Sequence, residues 1–318
     1  MLGLAEVRAA ADRVRPYVVR TPQERSARLS ERSGTDVWLK LECFQSTGSF
    51  KLRGALNALL LLSDQQRRRG VVTASAGNHG LGVARAAQLL GIQAAVVVPE
   101  TASTAKVEAL RTSGGELVLA GATYDQAEVA GRQLARDRDA LFVSAYNDPA
   151  VVAGGGTIAL EILQDLPQAR TLIVPAGGGG LIGGVSLAAH GMDPSIVVYG
   201  AQSEASPALH AAKRAGRRIE VEVKDSLADG LAGNVEEGSI TLDLLHEHVR
   251  DVALVTEHDI AEAMRRLVCE EHVLVEGSAA VGVAALERCL VDAAGPTVVI
   301  LTGRNVAASV LRQYVLDS

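Results

Sequence analysis

Lys51 lies in the first of three short segments whose residues could do chemistry. This segment runs from Ser46 to Ala55, is rich in small and polar residues, and precedes an apolar helical pattern at 55–62. The order predicts a loop that leads into a helix. A lysine beside exposed backbone N–H groups and the positive end of a helix dipole is favoured as the neutral amine, which attacks aldehydes. An ordinary surface lysine at a helix start fits the same spacing.

The second segment, 74–80, follows a predicted strand and precedes a predicted helix. Its backbone N–H groups and the side-chain amide of Asn78 could face a carboxylate or a phenolic oxygen. The alternative is an ordinary βα turn with Asn78 in the left-handed conformation. His79 would then be a structural residue rather than a base.

The third segment contains four consecutive glycines, Gly177–Gly180, between an apolar run and a helical pattern. Glycines there let the backbone approach a phosphate closely at a helix N-terminus. Gly178, Gly180 and Gly183 also fit the dinucleotide-binding fingerprint, with Glu204 near the spacing of its ribose-binding acid. A nicotinamide-dependent oxidoreductase is therefore a competing hypothesis, although it explains neither of the other two segments.

Short apolar runs alternate with helical patterns along the chain, which predicts βαβ units, parallel sheets and an α/β fold. The capping spacing of Thr123 with Gln126, and of Thr256 with Asp259, marks two helix starts. The predicted strands are 71–73, 94–98, 117–119, 141–143, 172–174, 196–199 and 297–301. The predicted helices are 80–90, 104–111, one from 124, 157–166, one after the glycines, 259–272 and 279–289.

Composition limits the classes of partner. The 318 residues carry a formal charge of -6, which gives no global attraction to nucleic acid or acidic membranes, so a small-molecule partner is predicted. Cys43, Cys269 and Cys289 are far apart and lack C-x-x-C spacing, so neither a disulfide framework nor a zinc site is predicted. The first residues do not resemble a signal peptide, and we expect a cytoplasmic protein.

One uncharged stretch, 171–192, has the length of a membrane-spanning segment. It holds the glycine cluster and Pro175 between apolar runs, an order that predicts a buried strand, a tight loop and a helix. We therefore expect no membrane partner.

Together and in this order, the three segments resemble the motifs of fold-type II pyridoxal-phosphate (PLP) enzymes of the threonine/serine dehydratase and serine racemase family. Ser49–Ala55 resembles the cofactor-lysine motif, Ser75–His79 the substrate and ring loop, and Pro175–Leu181 the phosphate loop. The resemblance covers nearly the whole chain, with further matches at 153–158, 228–230, 275–277 and 301–305.

The resemblance implies that Lys51 carries PLP as a Schiff base. The implied cofactor contacts are Phe50 against the ring, Asn78 at the ring hydroxyl, Gly177, Gly178, Gly179, Gly180 and Leu181 at the phosphate, Gly230 and Glu276 beside the ring, and Thr302 at the pyridine nitrogen. The implied substrate contacts are Ser75, Gly77, Asn78 and His79.

The implied reaction is the dehydration of a 3-hydroxy amino acid, such as L-threonine or L-serine, to a 2-oxo acid and ammonia. The neutral Thr302 hydroxyl would not keep the pyridine nitrogen protonated, which favours prompt elimination. The alternatives within the family are serine or aspartate racemisation, dehydration of hydroxyaspartate or an ectoine-derived hydroxy-amino acid, and threonine synthesis. Racemases of the family carry a serine where Ala76 stands, so dehydration is favoured over racemisation.

The resemblance also implies a tryptophan synthase beta-like architecture, with PLP in a cleft between two α/β domains. Residues 1–65 and 148–318 form the expected large domain, and 70–146 form a small mobile domain that closes over substrate. A homodimer or homotetramer is expected. Because the chain ends soon after the 301–305 motif, we do not expect the regulatory domain of biosynthetic threonine dehydratases.

Two places in the chain depart from patterns known in the family. Gln202, Ser206 and Ala208 occupy the divalent-cation site of serine racemases, so we predict no essential metal. Arg304 stands where many threonine dehydratases carry glycine, and it could pair with a second substrate carboxylate. An outward-facing arginine that caps a helix is the alternative.

Overall fold

The computed structural model describes residues 2–316, apart from the side chain of Ala105. Within these residues the strands are Gln23–Ser26 (β1), Val37–Lys40 (β2), Val71–Ala74 (β3), Ala94–Val98 (β4), Glu116–Leu119 (β5), Leu141–Phe142 (β6), Thr171–Pro175 (β7), Val197–Ser203 (β8), Asp251–Val255 (β9) and Thr297–Ile300 (β10).

The α-helices surround these strands. They are Leu4–Val14 (α1), Ala27–Ser33 (α2), Lys51–Leu60 (α3), Asp64–Arg69 (α4), Asn78–Leu90 (α5), Thr104–Arg111 (α6), Tyr124–Asp137 (α7), Pro149–Asp165 (α8), Gly180–Met192 (α9), Ala208–Ala215 (α10), Thr241–His248 (α11), Glu257–Cys269 (α12), Gly277–Glu287 (α13) and Ala308–Leu311 (α14). Shorter helical turns lie at Glu42–Phe44, Asp229–Leu231 and Arg312–Leu316.

The strands form two sheets. The larger has the order β1-β2-β10-β7-β8-β9, and every pairing in it is parallel except that of β1 with β2. The smaller has the order β5-β4-β3-β6 and is parallel throughout. The predicted α/β class with parallel sheets is confirmed. The exact domain boundaries, and the mobility of the smaller part, stay predictions.

The central strands are buried along their whole length. Every residue of β4, β7 and β10 is buried, as expected of parallel strands that helices cover on both faces. The predicted strand, loop and helix across 171–192 are confirmed as β7, residues 176–179 and α9. No helix in the described part of the chain is long and apolar enough to span a membrane.

Both predicted helix caps are present. The side chain of Thr123 accepts a hydrogen bond from the backbone N–H of Gln126 at the start of α7. Thr256 and Asp259 form a reciprocal capping box at the start of α12. The polar strand β1 was missed because its sequence, Gln-Glu-Arg-Ser, has no apolar alternation.

Helix α8 begins eight residues before the predicted start at 157. Asp148 caps it by accepting from the backbone N–H groups of Ala150 and Val151. The glycines at 154–156 lower helix propensity, but they lie where neighbouring helices approach closely. A Cβ on Gly154 would lie 2.6 Å from the backbone oxygen of Arg53 in α3. Tertiary packing therefore outweighs local propensity in α8.

We predict opposite effects from two neighbouring substitutions in α8. Gly154→Ala should lower the free energy of unfolding by about 1–3 kcal/mol, because its methyl group would collide with α3. Gly155→Ala is the matched control. Its Cβ would lie 3.7 Å from the nearest atom, Cδ1 of Leu181, which is an ordinary van der Waals contact. It should be neutral or stabilising by up to about 1 kcal/mol, because alanine favours helix. Urea unfolding checks both, and equal effects would contradict the packing argument.

Candidate active site

The candidate site is assembled where loops leave the carboxyl ends of parallel strands, which is where open α/β sheets bind ligands. Residues 75–79 follow β3, the glycines 177–180 follow β7, and 301–305 follow β10. The loop before Lys51 is joined to the end of β10. The backbone N–H of Phe50 donates to the carbonyl of Thr302 at 3.0 Å, and Ser49 pairs with Gly303. These contacts bring Lys51 next to the β10 loop.

Lys51 is the first residue of α3 and is half-buried. Burial lowers its pKa from 10.5 to about 8, although the nearby carboxylate of Glu276 acts in the opposite direction. The Nζ atom donates to the backbone oxygen of Ala145 at 3.0 Å and lies 5.3 Å from the centroid of the Phe50 ring. A substantial fraction of this amine is therefore neutral near physiological pH, the state that attacks an aldehyde.

A buried charge cluster anchors the helix that begins at Lys51. The Arg53 guanidinium, 1% exposed, donates to both oxygens of Glu42 at 2.8 Å and to Glu161 at 2.7 Å. Lys40 completes the cluster with a 2.7 Å bond to Glu161. No pattern in the sequence predicted this cluster, although Arg53, a charged residue just before the apolar pattern at 55–62, was the available signal.

Asn78, the first residue of α5, meets Glu276, the N-cap residue of α13. The Nδ2 atom of Asn78 donates to Oε1 of Glu276 at 2.7 Å, and the backbone N–H of Asn305 donates to its Oε2 at 3.1 Å. Burial is the main cause that raises the pKa of Glu276 to about 7, and the charge of Asp229 adds to it. Asn305 was not among the predicted site residues.

His79 is buried and neutral. Its Nε2 lies 3.2 Å from the backbone oxygen of Val143. Burial, and next the positive charge of Lys51, lower its pKa to about 3. With so low a pKa the neutral imidazole is a weak base, which agrees with the structural alternative for His79 better than with a role as a base.

The four glycines form a tight turn that only glycine fits. Gly179 adopts φ 90°, in the left-handed region, immediately before α9. A Cβ on Gly178 would lie 2.5 Å from the ring of Tyr146, and one on Gly179 would lie 2.7 Å from Thr241. The loop therefore presents backbone N–H groups at a helix N-terminus, an arrangement suited to a phosphate.

Three polar residues beside this loop were missed by sequence analysis. The Nδ2 atom of Asn147 donates to Glu236 at 2.9 Å. The backbone N–H of Glu236 donates to the hydroxyl of Tyr146 at 3.1 Å. Tyr146 and Asn147 follow β6, so their place beyond the carboxyl end of a predicted strand was the signal that could have found them.

The remaining predicted cofactor residues lie around the same loops. The backbone N–H of Gly230 donates to Oγ of Ser278, the second residue of α13, at 3.0 Å. Thr302 is buried and lies two residues after the end of β10. Leu181 is buried as the second residue of α9. The geometry thus collects them at one edge, and their roles toward PLP stay predictions.

Of the predicted substrate residues, Ser75 lies beside the start of α5, whereas Arg304 lies on the surface. Ser75, whose Oγ accepts the backbone N–H of Gly77 at 3.1 Å, lies at the N-terminal end of α5. Arg304 is exposed, and its guanidinium carbon lies 5.2 Å from the centroid of the Phe44 ring. Arg304 therefore stacks on an aromatic ring and shows no ion pair with a described carboxylate.

Comparison with known proteins assigns this geometry to a family. The sequence profile described as "Pyridoxal-phosphate dependent enzyme" matches residues 14–303. The chain belongs to this family. The enzyme is 42% identical to an L-threonine ammonia-lyase of Thermotoga maritima over 99% of its own length and 78% of that protein.

Solved structures agree with the assignment. The enzyme superposes on maize serine racemase with a TM-score of 0.93 at 35% identity, covering 98% of this chain and 96% of that one. It superposes on processed threonine deaminase isoform 2 of Solanum lycopersicum with a TM-score of 0.91 at 32% identity, covering 98% and 91%. The predicted PLP cofactor and fold-type II architecture are confirmed, and the nicotinamide-dependent alternative is wrong.

The low pKa of Lys51 predicts a pH dependence of its reactivity. In the cofactor-free enzyme, labelling of its amine should rise with a midpoint near pH 8, because the neutral form appears above the pKa. Glu276→Gln should move the midpoint lower, because the lost carboxylate no longer favours the charged amine. Peptide mass spectrometry after timed labelling measures both. A midpoint near 10.5 in the enzyme would show that the amine is not desolvated.

The buried charge cluster predicts a large cost for removing one partner. Arg53→Met should lower the free energy of unfolding by about 3–5 kcal/mol, because Glu42 would stay buried without its partner. Arg20, which pairs with Asp165 at the surface, provides the control. Arg20→Met should cost no more than about 1 kcal/mol. Urea titration measures both, and similar losses would mean that Arg53 contributes no more than a surface pair.

Proposed function

We propose that the enzyme is an ammonia-lyase that converts a 3-hydroxy amino acid, L-threonine or L-serine, to a 2-oxo acid and ammonia. The observation that carries the proposal is the amine of Lys51, whose pKa burial lowers to about 8. This amine donates to the backbone oxygen of Ala145, next to the Tyr146 ring that packs on Gly178. The name of the Thermotoga maritima relative, together with its identity over nearly the whole chain, supports threonine as a substrate.

The residues of the site fit the parts of the cofactor. We assign the phosphate to Gly177–Gly180, because a side chain would fill this loop and α9 begins there. We assign the ring hydroxyl to Asn78 and the pyridine nitrogen to Thr302. When bound, PLP supplies an aldehyde for amines and a conjugated ring that accepts the electron pair of the substrate α-carbon.

The enzyme's own groups then handle the proton and the carboxylate. Lys51 Nζ takes the α-proton, and its pKa of about 8 lies close to working pH, as an efficient base requires. The N-terminus of α5, with Ser75 and Gly77, binds the substrate carboxylate through backbone N–H groups and the helix dipole. His79 stays neutral and holds this loop against Val143.

Two positions define the specificity that we propose. Thr302 offers a neutral hydroxyl, which leaves the ring a weaker electron sink and favours prompt loss of the β-hydroxyl. Arg304 stacks on exposed Phe44, which supports the outward-facing arginine over a contact with a second substrate carboxylate. We therefore place neutral hydroxy-amino acids ahead of hydroxyaspartate.

Compartment, assembly and metal requirement are proposals as well. Cys43, Cys269 and Cys289 are free thiols, which supports a reducing compartment such as the cytoplasm. We keep the homodimer or homotetramer that family membership suggests. Gln202, whose Oε1 accepts the backbone N–H of Leu209, supports a site that needs no divalent cation.

The test of the proposed reaction is the release of 2-oxo acid. The PLP-loaded enzyme should produce 2-oxobutyrate from L-threonine or pyruvate from L-serine, with one ammonia for each. Lys51→Ala should lower the rate at least about hundredfold, because the base for the α-proton is lost. A loaded enzyme that releases no 2-oxo acid from either substrate would refute the proposal.

Racemisation is the second candidate, because maize serine racemase and a PLP-dependent aspartate racemase share the fold. Ala76 provides no hydroxyl to carry a proton to the opposite face of the substrate. We predict that Ala76→Ser raises the rate of L-serine racemisation relative to elimination, measured by chiral chromatography beside the 2-oxo acid assay. Strong racemase activity in the unmodified enzyme that the substitution does not change would contradict this argument.

A further inference from the structure

Asn78, Glu276 and Asn305 form a closed chain of hydrogen bonds that the reaction scheme does not use. Asn78 donates from Nδ2 to Glu276 at 2.7 Å and accepts at Oδ1 from Nδ2 of Asn305, also at 2.7 Å. Asn305 also donates from Nδ2 to the backbone oxygen of Thr47 at 2.9 Å. The chain connects three loops of the site.

The direction of every hydrogen bond in this chain is set by the backbone oxygen of Thr47. The backbone oxygen of Thr47 only accepts, so it selects the amino end of the Asn305 side chain. That amino end in turn selects the carbonyl oxygen of Asn78. The Asn78 amide is therefore left with its amino end toward Glu276. If the Asn78 amide were rotated by half a turn, its amino group would face the amino group of Asn305, and its oxygen would face the carboxylate oxygen of Glu276.

Two glycines leave the space that this arrangement needs. A Cβ on Gly48, which has φ 73°, would lie 2.6 Å from Oδ1 of Asn305. A Cβ on Gly303 would lie 2.5 Å from Oε1 of Glu276 and 3.2 Å from Nδ2 of Asn78. The loops before Lys51 and after β10 are thus shaped around these amides.

We propose that Asn305 is a positioning residue that fixes the orientation of the Asn78 amide, so that the second hydrogen of its Nδ2 donates to the ring hydroxyl of PLP. This inference rests on the proposed assignment of Asn78 to that oxygen. Asn305 acts through Asn78 and does not touch the cofactor itself.

Glu276 alone cannot hold the amide at every pH. Its pKa of about 7 means that the carboxyl group is protonated at lower pH, where it can donate as well as accept. It then no longer distinguishes the two ends of Asn78. The charged groups that act on it are Asp229, Lys106 and Lys51, whereas the side-chain amide of Asn78 is hydrogen-bonded to Glu276 and Asn305. The Asn305 amide does not titrate, so it holds the Asn78 amide in the same orientation whether Glu276 is protonated or not.

The experiment measures cofactor affinity with and without the ring hydroxyl. Asn305→Asp is isosteric but replaces the donor by an acceptor, whereas Asn305→Ala removes the donor and leaves Glu276 in control. Each protein is titrated at pH 8.5 with PLP and with the analogue that lacks the 3-hydroxyl, and binding is followed by absorbance. Circular dichroism melting of the cofactor-free proteins checks that the variants fold.

The PLP dissociation constant should be smallest for the native enzyme, larger for Asn305→Ala and largest for Asn305→Asp. The aspartate variant should lose about tenfold or more in affinity for PLP, which corresponds to about 1.4 kcal/mol or more. For the analogue without the 3-hydroxyl, the dissociation constants of the three proteins should agree within about twofold. In an Asn78→Ala background, Asn305→Asp should cause no further loss.

The outcomes separate this inference from the proposed function. A role in packing alone would make Asn305→Ala worse than Asn305→Asp and would weaken both cofactors equally, which would overturn the inference. A further loss from Asn305→Asp in the Asn78→Ala background would also overturn it. If the native enzyme binds PLP no better than the analogue, the assignment of Asn78 to the hydroxyl fails, and the inference fails with it. Release of 2-oxo acid from threonine tests the reaction independently.

Discussion

The guanidinium of Arg53, buried with Glu42, Glu161 and Lys40, fixes the helix on whose first residue the chemistry depends. Two positive and two negative side chains compensate each other, so the cluster carries no net charge into the interior. Burial of a charge is tolerated only with such complete pairing. The cluster joins β2, α3 and α8, and it sets where the α3 N-terminus meets the β10 loop. The low pKa of the Lys51 amine follows from this placement.

Close approach of backbones is the second requirement, and glycines meet it. Those in α8 let this helix contact α3 and α9, and those after β7 leave room for Tyr146 and Thr241 beside the phosphate loop. Gly48 and Gly303 leave room for the amides that orient Asn78. The same small residues therefore serve both packing and recognition. This explains why the chain carries 32 glycines with few aromatic residues and still forms continuous buried cores.

Local sequence was sufficient to predict the loops at 74–80 and 177–180, because each combines a strand, a glycine-bearing turn and a helix in adjacent residues. The loop before Lys51 was predicted from its small and polar residues and from the apolar helical pattern that follows it. It was insufficient where distant residues meet. Asn305 and Asn78 are 227 positions apart, and Arg53 and Glu161 are 108 apart, so no local pattern connects them. Helix α8 was predicted too short because the helices that need its glycines lie elsewhere in the chain. The short polar strand β1 has no periodic signal and is held by its partner β2.

The amine of Lys51 is the group that we expect to bind PLP covalently. The decisive experiment is borohydride reduction of the loaded enzyme, followed by proteolysis and mass spectrometry of the peptides. We expect one reduced cofactor per chain, attached at Nζ of Lys51, and none in Lys51→Ala. Attachment at another lysine, or a bound cofactor that reduction never fixes to the chain, would contradict this expectation.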